Sequence, residues 1–372
     1  MPRVNNKSGF KILPLLETAF LASGVLLAIV YISVTLVRSE GLDFDVFYFS
    51  ARQVIQGKTI YDTYGAFKLP YWYFPWVAWF YVPLAFFSRG LAYGIYMGIS
   101  ILCATITINF LYQKTASHTN FLERLFALSM SMTMCWLLFR VGQMDYILLA
   151  VAVAMIQFVD TKRSALAGLL VPILLFKPHL FLLFFVYLAL KGRKSFIISA
   201  ITITAVLMVI SFLAIPNWPH QMLNMLKNSG QRIDHTAFNF TTLPNLFGSQ
   251  ENWSGTANLP FTVFLILIGL LILWYFRSLD PFSFLTLSLV GSLFCAPRAY
   301  AYNFPLLIPV MVWLSAGLSR GYFILFWAAA GVTSILLQYS TKSYLIVLAI
   351  FAAGIYKALQ QQRMINQAIE AA

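Results

Sequence analysis

The stretch GLDFDVFYFSARQVIQGKTIYDTY, residues 41–64, is a short polar interruption between long apolar segments. It contains three of the twelve acidic residues of the chain, Asp43, Asp45 and Asp62. An ionised carboxylate beside a lipid bilayer is costly unless it stays in water or finds a partner. A solvated loop and a functional site both remain open. Turn chemistry in Tyr-Asp-Thr-Tyr favours the loop for Asp62, whereas Asp43 heads an amphipathic, Tyr- and Phe-rich stretch that favours a site.

The composition is that of an integral membrane protein. Hydrophobic residues make up 60% of the 372 residues and charged residues only 10%, whereas soluble domains are about 45–50% apolar. The apolar run 12–37 is too long for the core of a cleavable signal peptide and predicts a first transmembrane helix. No polar stretch is long enough to fold alone, so residues 1–372 form one predicted membrane domain with external loops at 41–68 and 215–259.

Hydropathy predicts an all-α polytopic fold. Apolar segments long enough to be helices or half-helices lie near 12–37, 71–87, 91–112, 123–139, 144–159, 164–176, 178–190, 195–215, 260–276, 281–295, 302–318, 321–338 and 343–358. Basic residues before the first segment and after the last place both termini in the cytoplasm, which requires an even number of crossings. The segment 71–87 contains two prolines and three tryptophans. We therefore expect it to be interfacial or re-entrant, leaving about 12 crossing helices.

The net charge of +13 does not indicate nucleic-acid binding, because the Lys and Arg residues are scattered among loop ends instead of forming a stripe. The three cysteines, Cys103, Cys135 and Cys295, lie in or beside apolar runs without metal-ligand spacing. The sequence therefore predicts neither a disulfide nor a metal site. No cofactor is expected, and a role for a divalent metal stays open.

In the predicted topology, unusual polar residues collect on the outer face. They comprise Asp43 and Asp45, the segment 140–145, the segment 177–179, the loop 215–259 and the segment 297–303. Ionisable residues at a membrane edge are functional candidates. This clustering predicts a site on that face.

Two cations belong to this group. Lys177 interrupts the apolar run LLFKPHLFL, so it either faces a cavity or snorkels at a helix end. Arg298 suits a bidentate grip on a phosphate, or it anchors the interface. One base, two cations and aromatic walls would suit transfer of a sugar from an anionic lipid phosphate.

Several segments, in order, resemble glycosyltransferase family 87. They are DFDVFYFSA at 43–51, QGKTIYD at 56–62, YFPWVAWFYVPL at 73–84, Gly142-Gln143, the stretch 167–178, Pro297-Arg298 and Tyr302-Asn303. The resemblance covers most of the first 180 residues and one later loop. It implies the GT-C membrane fold, a polyprenyl-phosphate sugar donor, commonly polyprenyl-phosphate mannose, and reaction on the outer face.

The resemblance also implies roles for residues. Asp43 matches the acid taken as the catalytic base of the family, in the loop 41–68. The expected substrate-binding residues are Asp45, Tyr48, Gln143, Lys177, His179, Arg298, Tyr302 and Asn303. A structural role is favoured for His179 beside Pro178. The chain departs from many relatives, which have a Trp-x-His motif before a Tyr where this chain has Tyr300 and Tyr302, and that departure leaves the donor and acceptor open.

The expected function is inverting transfer of mannose, or a related hexose or pentose, to a lipid-linked or glycan acceptor. The expected location is the plasma (inner) membrane, as a multi-pass protein with its site on the extracytoplasmic face and no nucleic-acid partner. The alternatives are a polymerase of polyprenyl-linked polysaccharide, a lipid or sugar transporter such as a flippase, and a noncatalytic scaffold. A transporter would line its cavity with charges near mid-membrane.

Overall fold

The computed structural model describes residues 12–38, 41–61, 63–64, 69–115, 119–191, 194–229, 239–240, 259–296, 299–337 and 344–370. In these ranges the secondary structure is helical apart from two pairs of two-residue strands. The predicted all-α fold class is therefore confirmed.

In the described ranges, the first half of the chain contains nine α-helices before a 3₁₀ turn at Pro178–Leu180. In order they are α1 (Ile12–Val37), α2 (Leu42–Ile55), α3 (Pro75–Ala85), α4 (Arg89–Lys114), α5 (Phe121–Met134), α6 (Trp136–Val141), α7 (Asp145–Asp160), α8 (Ser164–Leu169) and α9 (Val171–Leu174). Between α2 and α3, strands β1 (Thr63–Tyr64) and β2 (Leu69–Pro70) pair antiparallel.

The second half continues the bundle in the described ranges. Its helices are α10 (Leu182–Lys191), α11 (Lys194–Ala214), α12 (Trp218–Ser229), α13 (Leu259–Tyr275), α14 (Pro281–Cys295), α15 (Ile308–Ser315), α16 (Arg320–Leu337) and α17 (Tyr344–Glu370). A 3₁₀ helix, Ala301–Leu307, precedes α15. Strand β3 (Asn239–Phe240) pairs antiparallel with β4 (Ala299–Tyr300), so part of the long loop 215–259 lies beside residues 299–300.

Local sequence explains several helix boundaries. α5 begins with a capping box in which Asn120 and Glu123 each accept the other's backbone N–H at 2.9 Å. Asp280 is the N-cap of α14, and its carboxylate accepts hydrogen bonds from two backbone N–H groups of the first turn. The predicted segment 164–176 divides into α8 and α9 because Pro172 cannot donate the bond that a continuous helix needs.

Among the residues that the structure describes, three helices are long and apolar enough to cross a membrane: Leu15–Val37, Arg89–Lys114 and Lys194–Ala214. The 26 residues of α4 would span roughly 39 Å at about 1.5 Å per residue, more than the roughly 30 Å hydrocarbon core. Shorter apolar helical segments are Ser164–Leu174, Val263–Tyr275, Pro281–Cys295 and Tyr302–Ser315. Large apolar side chains such as Leu27 and Leu213 are 68% and 79% exposed, as lipid contact requires. The chain is a helical membrane protein.

The predicted interfacial segment 71–87 contains only α3, which is 11 residues long. Such a helix reaches roughly 16 Å, about half the thickness of a roughly 30 Å hydrocarbon core. Pro83 lies inside α3, and Trp76 at its start is buried. α3 packs against α2, so the two short helices form one unit.

Ion pairs join helix termini at two opposite ends of the bundle. At one end, Arg89 at the start of α4 contacts Asp45 of α2 at 2.6 Å. At the other end, Lys114 at the last residue of α4 lies 3.8 Å from Asp160 at the end of α7, and Arg320 also contacts acids there. We call the end of the bundle with Asp45 and Arg89 the site end, and the end with Lys114 and Asp160 the opposite end.

Candidate active site

The start of α2 is fixed at the site end by the backbone. Gly41 has φ +60°, a left-handed conformation that favours glycine. Its N–H donates to the carbonyl of Arg140 at 3.1 Å, which joins α2 to the end of α6. Phe44 and Phe47 on the inner face of α2 are fully buried. This packing fixes the first turn of α2, which carries Asp43.

Asp43 is half-buried and has two charged neighbours. Burial raises the pKa of its carboxyl to about 6, although a hydrogen bond from the Gln143 side chain and the charge of Lys177 act in the opposite direction. The nearby Asp145 carboxylate adds to the rise. A carboxylate that titrates near neutral pH and keeps access to solvent is a suitable general base.

The centre of the site is Asp145, the first residue of α7, which is 0% exposed. Its Oδ2 accepts a hydrogen bond from Lys177 Nζ at 2.7 Å, and its Oδ1 accepts one from Asn303 Nδ2 at 2.7 Å. A buried ion pair persists only when its remaining hydrogen-bonding capacity is satisfied. Asp145 therefore joins three separate segments of the chain.

Lys177 lies between Asp145 and an aromatic face. Its side chain is buried, and Nζ lies 4.7 Å from the centre of the Tyr302 ring, a cation–π distance. The Tyr302 ring stacks on Tyr300 with centroids 4.8 Å apart. Lys177 thus faces the interior of the site instead of snorkelling to the surface.

The turn that carries Tyr302 is held by Asn303. The Oδ1 atom of Asn303 accepts the backbone N–H of Tyr300 at 2.8 Å while its amide group donates to Asp145. Asn303 is 1% exposed. Since Tyr300 also belongs to β4, this turn connects the site to strand β3 of the long loop.

The turn between α6 and α7 approaches α2 closely. Gly142 has φ +79°, and a Cβ atom there would lie 2.6 Å from Cβ of Phe44. The following residue, Gln143, is 2% exposed and contacts Asp43. Only glycine permits this approach. We call Asp43, Gln143, Asp145, Lys177 and Asn303 the acid–lysine cluster.

Asp45 and Tyr48 have contacts different from those of Asp43. Arg89 donates from Nε and Nη2 to the two carboxylate oxygens of Asp45, at 2.6 and 3.0 Å. The Tyr48 hydroxyl donates to the carbonyl of Phe87 at 2.8 Å, and the side chain is buried. These contacts fasten α2 to the start of α4. Substrate binding by Asp45 or Tyr48 stays a prediction.

Other predicted residues lie at the edge of the cluster or outside the described ranges. His179 lies two residues after Lys177 in the 3₁₀ turn, where its side chain is exposed and within electrostatic reach of Lys177. Arg298 and Asp62 lie outside the described residues, as does most of the loop 215–259. Their predicted roles stay predictions.

One residue of the cluster was missed by sequence reasoning. Asp145 belongs to the segment 140–145, which the sequence singles out as polar, yet no role was assigned to it. The available signal was the same as for Lys177, a charged residue at the edge of an apolar segment. Its partners are 32 and 158 residues away in sequence, so spacing could not reveal them.

The cluster can accept a proton and hold an anion. Asp43 offers a carboxylate, and Lys177 an ammonium group at an aromatic wall. Among the described residues, no three His, Cys, Asp or Glu side chains gather where they could hold a metal ion. The arrangement suits group transfer from an anionic substrate.

Comparison with known proteins agrees with this chemistry. A model of glycosyltransferase family 87 matches residues 71–309, more than half of the 372 residues. The match includes Gln143, Asp145, Lys177 and Asn303, and it begins after Asp43. No curated protein and no solved structure matches the chain. The chain therefore belongs to glycosyltransferase family 87 and is a membrane glycosyltransferase.

Proposed function

We propose that the protein transfers a sugar from a polyprenyl-phosphate donor to a lipid-linked or glycan acceptor, with Asp43 as general base and inversion at the anomeric carbon. The proposed sugar is mannose or a related hexose or pentose. The observation that carries the proposal is the half-buried carboxylate of Asp43 beside the buried Lys177 ammonium, both at the site end of an apolar bundle.

The chemistry assigns one task to each charge. The acceptor oxygen attacks the anomeric carbon while its proton passes to the Asp43 carboxylate. The bond between the anomeric carbon and the phosphate oxygen breaks, and its electron pair stays on the phosphate. We assign Lys177 and Arg298 to that phosphate, where their charges would stabilise the developing negative charge.

We further propose twelve crossings with both termini in the cytoplasm of a plasma (inner) membrane protein. The crossing elements would be α1, α4, α5 with α6, α7, α8 with α9, α10, α11, α13, α14, the second 3₁₀ helix with α15, α16 and α17. Helices α2, α3 and α12 would lie at the extracytoplasmic face. The ion pairs at the two ends of the bundle support this arrangement. Each pair joins two helix termini that the proposed topology puts on the same side of the membrane.

The position of the cluster favours a transferase over a transporter. Asp145 begins α7, and Asp43 lies in the first turn of α2. A transporter commonly binds its substrate near mid-membrane at broken helices, whereas this cluster lies at helix termini. A polysaccharide polymerase would use a similar face and donor, and the acceptor product distinguishes it.

The proposal is tested by Asp43→Asn in purified protein, with transfer of radiolabelled sugar from a polyprenyl-phosphate donor as the assay. The amide keeps the shape of the side chain but accepts no proton at neutral pH. Turnover should fall about 10²–10⁴-fold while donor binding persists. Near-normal turnover would rule out Asp43 as the base.

The matched control is Asp45→Asn, two residues along the same helix. Asp45 contacts Arg89 and not the acid–lysine cluster. Its loss should weaken the attachment of α2 to α4 by about 1 kcal/mol and reduce turnover much less than Asp43→Asn. Loss of turnover in Asp45→Asn alone would move the role of base to that residue.

A further inference from the structure

The ammonium group of Lys177 is paired with a carboxylate inside the site. Its Nζ atom donates to Asp145 Oδ2 at 2.7 Å, and the two side chains are only 7% and 1% exposed. An ammonium group has three N–H donors. One is used by Asp145 and another side of the group faces the Tyr302 ring, so capacity remains for a substrate oxygen.

Asp145 is itself held in place from several sides. Asn303 donates to its second oxygen at 2.7 Å, and its position in the first turn of α7 is favourable for a negative charge. A carboxylate fixed in this way holds Lys177 in one direction. It also offsets part of the charge that Lys177 presents to the site.

The net charge around Lys177 affects how tightly the site would hold the product of the proposed reaction. The donor is a phosphodiester with about one negative charge, whereas the leaving polyprenyl phosphate is a monoester with about −1.5 to −2 at neutral pH. An uncompensated cation would therefore bind the leaving group more tightly than the donor. Product release would then slow turnover.

We infer that Asp145 is a positioning residue that orients the Lys177 ammonium and partly neutralises it, so that the site releases the polyprenyl phosphate product. The inference rests on the proposed function for the identity of the product. It concerns the release of that product, whereas the role of Asp43 concerns proton transfer.

The test measures binding of polyprenyl phosphate to detergent-purified protein, together with turnover and KM for the donor. In Asp145→Asn the charge of Lys177 is less compensated, so the protein should bind polyprenyl phosphate about three- to tenfold more tightly. The KM for the donor should fall, and turnover at saturating donor should fall with it because release is slower. A purely structural defect would instead weaken binding and lower the melting temperature.

Two variants isolate the effect of the charge. Lys177→Gln should weaken polyprenyl phosphate binding most, because it leaves the Asp145 carboxylate unpaired, and the double variant with Asp145→Asn, a neutral amide pair, should bind more tightly than Lys177→Gln but less tightly than Asp145→Asn. The matched control is Asp160→Asn, which removes the acid at the other end of α7, beside Lys114. It should leave polyprenyl phosphate binding unchanged.

The outcomes separate this inference from the proposed function. If neither the wild-type protein nor Asp145→Asn binds polyprenyl phosphate, the proposed donor is wrong, and the inference fails with it. If the wild type binds it but Asp145→Asn binds equally or less tightly while melting normally, only the inference is overturned. Should Asp145→Asn not fold, Asp145→Ser replaces it with the same expected tightening. If neither Asp145→Asn nor Asp145→Ser folds, while the double variant of Lys177→Gln with Asp145→Asn does, then Asp145 serves to neutralise Lys177 during folding. That result would overturn the inference.

Discussion

At the scale of the residue, the electrostatic surroundings of Asp43 predict how the rate depends on pH. Burial raises its pKa to about 6, with Gln143 and Lys177 opposing the rise and Asp145 adding to it. The tyrosines Tyr73 and Tyr302 also face this carboxylate. Protonated Asp43 cannot act as a base, so kcat/KM should rise with pH through about 6 and level off above about 7.

The measurement is kcat/KM between about pH 5 and pH 8.5 at fixed ionic strength. The residual rate of Asp43→Asn should not show the rising limb. The contribution of Asp43 to folding stability should change with pH in the opposite direction to the rate. Because the folded-state pKa is raised, Asp43 favours folding while it is protonated, and that contribution is lost as pH rises through about 6. At pH 7.5, Asp43→Asn should melt no lower than the wild type. A flat rate profile in the wild type would contradict the assignment.

At the scale of the element, the site depends on the close approach of α2 to the turn between α6 and α7. Gly142→Ala would place a methyl group 2.6 Å from Cβ of Phe44, at a backbone φ of +79°. Overpacking and a strained backbone should together cost about 1–3 kcal/mol. We expect a lower melting temperature and lower turnover, because α2 carries Asp43 and the turn carries Gln143.

The control for this change is Gly98→Ala in α4, where an added Cβ meets no atom within 4 Å. Alanine is favoured over glycine inside a helix by up to about 1 kcal/mol. This variant should therefore be at least as stable as the wild type and keep its turnover. Equal behaviour of the two alanine variants, measured by thermal melting and transfer assay, would show that the approach at Gly142 is not tight.

At the scale of the whole molecule, the two ends of the bundle should lie on opposite sides of the membrane. Lys58 follows α2 and Lys162 follows α7, and both are exposed. Since α2 lies at the site end and α7 ends at the opposite end, a cysteine at Lys58 should react with an impermeant reagent applied from outside. A cysteine at Lys162 should react only after permeabilisation. A variant lacking the native cysteines gives the background, and the opposite labelling pattern would invert the topology.

The membrane class and most helix positions could be predicted from the sequence. Apolar segments such as 91–112 and 195–215 correspond to α4 and α11, because hydrophobic length is a local property of the chain. Boundaries inside segments were less predictable. The segment 123–139 divides at Cys135 into α5 and α6, and nothing in its composition indicates that break.

The sequence by itself also determined which charges needed an explanation, because an ionisable residue at an apolar edge is costly wherever the chain folds. It pointed to Asp43 and Lys177 on that ground. Only the tertiary structure decided how those charges are paired. Asp145 contacts Lys177 and Asn303, while Asp45 contacts Arg89, 44 residues away. Ion pairs of this kind depend on the rotation and packing of helices that are distant in sequence, so the pairing becomes defined only when the bundle is assembled.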